Sequence, residues 1–190
     1  MLRLSDLLPD HLKKKLATEA RKNVPQREQG PRQGHHERRH HRDTPVIPIP
    51  DFVAIDVETT GLDFAKDRVI EVGAVKFIAG KAADEYSTFI NPGVPIPEHI
   101  TDLTSITDQD VAAAPPFSAI ADRLLAFVGD LPLCGHQIDF DLTFLNKELE
   151  RAGKKPLRKQ NLDTVLLSKI ILESGRRYSL KSVSQTLDVT

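Results

Sequence analysis

The chain of 190 residues contains no tryptophan and one cysteine, Cys134, so an intrachain disulfide is impossible and a bridge-stapled mini-fold is excluded. No stretch approaches the run of about 20 apolar residues that a membrane-spanning helix needs. The opening MLRLSDLLPDHLKKK has only short apolar clusters, broken by Asp6, Pro9 and Asp10, and makes a poor secretory signal. No internal repeat is visible, which argues against a solenoid. Together these absences set a cytoplasmic location as the expectation.

Net charge is also scarce, at -1 overall, but it is unevenly spread. Residues 1–50 hold 11 Lys and Arg against 6 Asp and Glu, whereas residues 51–190 hold 15 against 21. The basic part reads as an arm or linker and the acidic part as the globular unit. Leu2, Leu4, Leu7, Leu8, Leu12 and Leu16 place a short amphipathic helix within 1–22, interrupted at Pro9. Residues 23–50 are rich in Pro, Gly, Gln, Arg and His. They cannot bury enough apolar surface to offset their ordering entropy, so a disordered linker is expected, its His35–His41 tract solvated.

From Phe52 the texture changes. FVAIDVE reads as a strand, RVIEVGAVKFIAG as a second ending near Gly80, and EYSTFINPG as a third stopped by Pro92–Gly93. Residues 94–116 read as an irregular loop with a short helical turn. Phe117, Ile120, Leu124 and Val128 have helical spacing, with Gly129 as a stop. LPLCGH reads as a short buried strand, and DFDLTFLNKELERAG as a helix ended by Gly153. Two further helices are expected over 163–174 and 179–188. Strands in series followed by alternating strand and helix imply an α/β fold, a mixed sheet with helices packed on it.

The first strand holds the chemistry. Alternation puts Phe52, Ala54, Asp56 and Glu58 on one face and Val53, Ile55 and Val57 on the other. Two acids on one face of an apolar strand need water, a partner or a metal. A third acid, Asp141, falls in the first turn of the helix that follows LPLCGH, where a strand–loop–helix unit can return beside the first strand. Hard oxygen ligands from two elements are what Mg²⁺ or Mn²⁺ selects. Thr59, Thr60 and Gly61 add hydroxyls and unhindered backbone beside them, where a nucleotide end could sit.

D-x-E-T-T-G at 56–61, followed by G-H-x-x-x-F-D-x-x-F-L at 135–145, resembles the first two motifs of the DnaQ-like (DEDDh) 3′→5′ exonucleases. The resemblance is to the branch that includes the epsilon subunit of DNA polymerase III and the exonuclease domain of PolC. RVIEVGAVKF, FINPGVPIPEHITDLTSITDQDV, LDTVLLSK and RRYSLKSVSQTL extend it across 51–190. It implies an RNase H-like fold and a domain that removes nucleotides from single-stranded or frayed DNA 3′ ends, or from RNA, with two divalent ions. It further implies service in a replication or repair assembly, beside a DNA polymerase. By position, Asp56 would bridge both ions, Glu58 would bind one and orient water, and Asp141 would hold the other. Ile100, Leu103 and Thr104 would flank the terminal base, with Thr59, Thr60 and Gly61 near its sugar.

Two positions depart from the family's pattern, Gln137 where Asn is usual and Ser105 where Gly is usual. The family's third motif, H-x-x-x-x-D, carries a histidine base and a fourth carboxylate after a segment like YSLKSVSQTLDVT. No such motif stands before Thr190, so no general base is assigned and the closing helix of the family is not expected within these residues. Weak or no cleavage by these 190 residues is therefore expected, and a module that binds nucleic-acid ends without cutting is the alternative.

Overall fold

The structure, a computed structural model, describes residues 50–172 and 177–188. The helix expected within 1–22 and the linker expected over 23–50, Pro50 excepted, lie outside the described residues.

Five strands form one sheet in the order β3-β2-β1-β4-β5. Strand β1 (Phe52–Thr59) lies at the centre, antiparallel to β2 (Val69–Ile78) and parallel to β4 (Leu133–Gly135). Beyond β2 lies β3 (Lys81–Phe89), antiparallel, and beyond β4 lies β5 (Asn161–Asp163), parallel. The β2–β3 hairpin turns through Ala79 and Gly80, both at positive φ (50° and 75°), the backbone that suits a two-residue hairpin turn. That tight turn lets β3 begin at Lys81, four residues before the apolar pattern suggests. The irregular loop expected over 94–116 contains two short helices, α1 (Glu98–Thr104) and α2 (Asp108–Ala112). Thr107 and Asp110 close a reciprocal capping box on α2, a local signal that outranks its lack of apolar periodicity.

Helix α3 (Phe117–Val128) and helix α4 (Ile138–Arg151) cover one face of the sheet. Val53, Ile55, Val57, Val72 and Ala74 point into this core and meet Phe117, Leu124, Phe144, Leu145 and Leu149. Burying an apolar side chain of this size contributes about 1.5–3 kcal/mol, so this layer fixes how α4 lies on β1. A second cluster gathers Ile70, Ile96, Ile100, Ile106 and Val111 and seats α1 and α2. Helices α5 (Thr164–Ile171) and α6 (Leu180–Leu187) complete the described chain. Strand β5 was hidden from pattern reading because it is three residues long and runs straight into α5, whose N-cap is Asp163. No helix among the described residues is long and apolar enough to cross a membrane.

Candidate active site

The residues opposite the α3/α4 face are Phe52, Ala54, Asp56 and Glu58 on β1, with Glu71, Gly73, Val75 and Phe77 across from them on β2. Phe52 stacks on Phe77 at 4.9 Å, which closes the far end of this face and leaves the acids at the other. Asp56 is exposed and Glu58 is half-buried.

Asp141 arrives by a different route. Strand β4 pairs with β1 only at Val53 and Ala54 and ends at Gly135. Past that end the Val57 N–H, on the β4 side of β1, has no strand to bond. Asp141, in the first turn of α4 and 3% exposed, fills the gap, its Oδ1 accepting that N–H at 3.0 Å. The close passage depends on Gly135, where a Cβ would meet the Ile138 side chain at 2.6 Å and the Ile55 carbonyl at 3.1 Å. A side chain there would push α4 and Asp141 away from β1.

The electrostatics follow from this crowding. Burial, then the neighbouring Asp56 and Glu58, push the Asp141 carboxyl up to about 7, against the pull of the Val57 N–H. Burial raises Asp56 while the nearby His136 imidazole draws it down. Glu58 is raised by burial and by Asp56 and Glu71. Glu71 is raised by burial and by Asp56. Glu71 is the acid that motif reading missed. It sits directly opposite Glu58 in the β1–β2 ladder, and only the register across an irregular turn reveals it. Like charges in that relation repel.

Among the described residues, none of these four carboxylates is paired with Lys or Arg, and no three His, Cys, Asp or Glu side chains close into a ready metal cage. The donor chemistry fits a hard divalent cation: carboxylate oxygens from two strands and a helix, with no Lys or Arg paired to them among the described residues.

The other motif residues have varied placements. Thr59 donates to the Gly61 carbonyl at 2.7 Å, and Thr60 donates to Asp67 at 3.1 Å, so both hydroxyls shape the turn after β1. At Gly61 a Cβ would run into the Asp67 carboxylate, so a larger residue there requires that side chain to leave its bonds to Thr60 and Asp63. In α1, Ile100 is buried in the small cluster, whereas Leu103 is 78% exposed. Thr104 donates to the Ile100 carbonyl and accepts from the Ile106 N–H, which finishes the helix. His136 is held through Nδ1 by the Thr164 hydroxyl at 3.0 Å, which itself donates to the Gly135 carbonyl at 3.1 Å. Cys134 is half-buried beside β1, and burial raises its thiol. The two departures from the motif pattern share a backbone conformation, since Ser105 and Gln137 are both left-handed, at φ 64° and 65°. Glycine and asparagine occupy that region most cheaply.

A mixed five-stranded sheet flanked by helices, with acids on its central strand and one from the helix behind it, has the RNase H-like fold. The model of the family described as Exonuclease matches residues 53–190, and the chain belongs to that family. It is 36% identical over 140 residues to a DNA polymerase III PolC-type of Clostridium perfringens, a span of 74% of this chain and 10% of that protein. It is 35% identical over 134 residues to the DNA polymerase III subunit epsilon of Aquifex aeolicus, covering 70% of this chain and 66% of that one. The 3'-5' exonuclease DinG of Bacillus subtilis is 37% identical over 139 residues, 73% of this chain and 15% of its own length. Among solved structures, Exonuclease X in complex with 5′ overhanging duplex DNA aligns with a TM-score of 0.57 at 24% identity, covering 73% and 74% of the two chains. An exonuclease I structure aligns at 0.66 with 16% identity, covering 75% of this chain and 36% of that one. At those identities the structural likeness speaks for the fold. The chain thus spans from a tenth to two thirds of the lengths of these curated relatives.

Proposed function

We propose that residues 51–190 form a metal-dependent 3′→5′ exonuclease domain acting on single-stranded or frayed DNA ends. One observation carries the reading: Asp141 is buried beside Asp56 and Glu58 by a bond to the Val57 N–H of β1, past the end of β4. A core built only for stability would not bring a third unneutralised acid to that spot. Asp56, Glu58 and Asp141 would hold the divalent ions, Mg²⁺ or Mn²⁺. Such ions lower the pKa of a bound water and offset charge on the phosphate and the leaving oxygen. The chain's own contribution is placement. Asp141 stays fixed by Val57, Asp56 and Glu58 stay fixed by the β1–β2 ladder, and the Thr59–Gly61 turn offers backbone to the terminal sugar. Exposed Leu103 supplies apolar surface for the terminal base. Buried Ile100 supports α1 from beneath, and Thr104 supports it through its end bonds. The names of the relatives favour DNA over RNA and a place beside a replicative polymerase.

The test is degradation of 5′-labelled single-stranded DNA with Mg²⁺ or Mn²⁺, comparing the 190-residue chain with Asp56→Asn. Slow shortening from the 3′ end is expected, since no general base is assigned within these residues, and the variant should be slower by at least about 100-fold again. If both proteins bind the strand and neither shortens it, the domain is an end-binding module and the enzyme reading fails.

A further inference from the structure

We propose that Arg151 is a positioning residue for the strand end, holding the Thr60–Asp67 loop in the shape in which it meets a DNA terminus. The inference rests on the exonuclease reading, because it gives that loop its substrate.

The loop leaves the acid-bearing strand and re-enters the sheet at β2. Its internal bonds, Thr60 to Asp67 at 3.1 Å and the Asp63 N–H to Asp67 at 2.8 Å, close it on itself without fixing where it lies. Two features of α4 do that. Phe64 rests on Phe140 and Phe144, with ring centroids 5.8 and 5.0 Å away. In the last turn of α4, Arg151 donates from Nη2 to the carbonyls of Ala65 at 2.8 Å and Phe64 at 3.4 Å, and from Nη1 to Asp67 at 3.2 Å. A planar fork of donors can serve three carbonyls at once, which an ammonium cannot.

Glu148 aims that fork. Its carboxylate accepts from Arg68 through both oxygens, at 2.6 and 2.9 Å, and from Arg151 Nη1 at 2.8 Å. The two arginines divide the labour. Arg68 gives Glu148 two of its three charged bonds and also donates to the Pro92 carbonyl at 3.1 Å, so its loss leaves the buried carboxylate with Arg151 alone and weakens the fold. Losing Arg151 removes one bond to Glu148, leaves both Arg68 bonds intact and releases the loop carbonyls. Helix α4 carries Asp141 in its first turn and Arg151 at its end, so one rigid element sets the site acid and the loop in a common frame.

The test uses the 190-residue chain and three variants, Arg151→Ala, Arg151→Lys and Lys147→Ala. Lys147 lies on the same helix and, among the described residues, pairs with exposed Glu150 at 2.9 Å and with no loop carbonyl. Amide hydrogen exchange over 61–67 reads the loop. Affinity for a single strand with a free 3′ end, measured in Ca²⁺ to favour binding over cleavage, reads the consequence. Arg151→Ala should lose loop protection and bind the end about tenfold more weakly, Arg151→Lys should recover part of both, and Lys147→Ala should change neither. Unchanged exchange in Arg151→Ala overturns the clamp, and lost protection with unchanged end affinity overturns its role in positioning. If the wild type binds no strand end, the exonuclease reading falls and takes the positioning role with it, while the exchange data still decide whether Arg151 holds the loop.

Discussion

Helix α4 carries two nearly buried carboxylates, Asp141 at 3% exposure and Glu148 at 2%, that live in opposite surroundings. Glu148 receives two arginines, and the local charge is met within the protein. Asp141 receives backbone N–H groups alone and faces Asp56 and Glu58, and its carboxyl is pushed up to about 7. The same helix, the same degree of burial and the same chemical group give a structural joint at one end and an unbalanced site at the other. A buried acid whose counter-charge is built in secures the fold. An acid whose counter-charge must come from outside marks where something binds.

The contrast breaks most severely at Glu148. Glu148→Gln should destabilise the fold by about 3–5 kcal/mol, because Arg68 and Arg151 lose the buried carboxylate they share; urea denaturation measures it. Glu71→Gln should do the reverse on a smaller scale. It relieves repulsion against Glu58 and should raise the melting temperature of the cation-free protein, by about 0.5 kcal/mol in stability. Ser105→Gly touches neither acid and tests the backbone alone. Removing a side chain from a left-handed position should stabilise by up to about 1 kcal/mol, visible as a higher thermal midpoint. The partly offsetting cost is a freer unfolded chain.

Much of this was legible in the residues. The β1 alternation separates the acids from Val53, Ile55 and Val57, and the helix beginning near Ile138 places Asp141 in a first turn. What pattern reading missed depends on contacts between segments distant in sequence. Glu71 gains its meaning only from lying opposite Glu58. Glu148 and Arg151 look like ordinary helix-surface charges until Arg68, eighty residues away, and the 64–67 carbonyls meet them. Strand β5 is too short for a period, and α2 is defined by its cap rather than its hydrophobics. The unusual residues at 105 and 137 were visible, but their shared left-handed backbone was not.

The central claim is that the Asp141 end of α4 awaits a cation, and stability against pH tests it most directly. With no divalent ion, Asp141 titrates near 7 when folded and near its ordinary 3.8 when unfolded. Between those values the folded state keeps a proton that the unfolded state has released. Folding then takes up protons, so this group's contribution to stability falls as pH rises through the window. A cation at the acids would favour their ionised forms and remove that loss, stabilising the fold in proportion to its binding. The account predicts that the cation-free melting temperature carries a downward component between pH 4 and 7 that Asp141→Asn abolishes. It also predicts that millimolar Mn²⁺ restores the wild type at pH 7 and leaves Asp141→Asn largely unmoved. Equal responses of the two proteins to pH and to Mn²⁺ would contradict it.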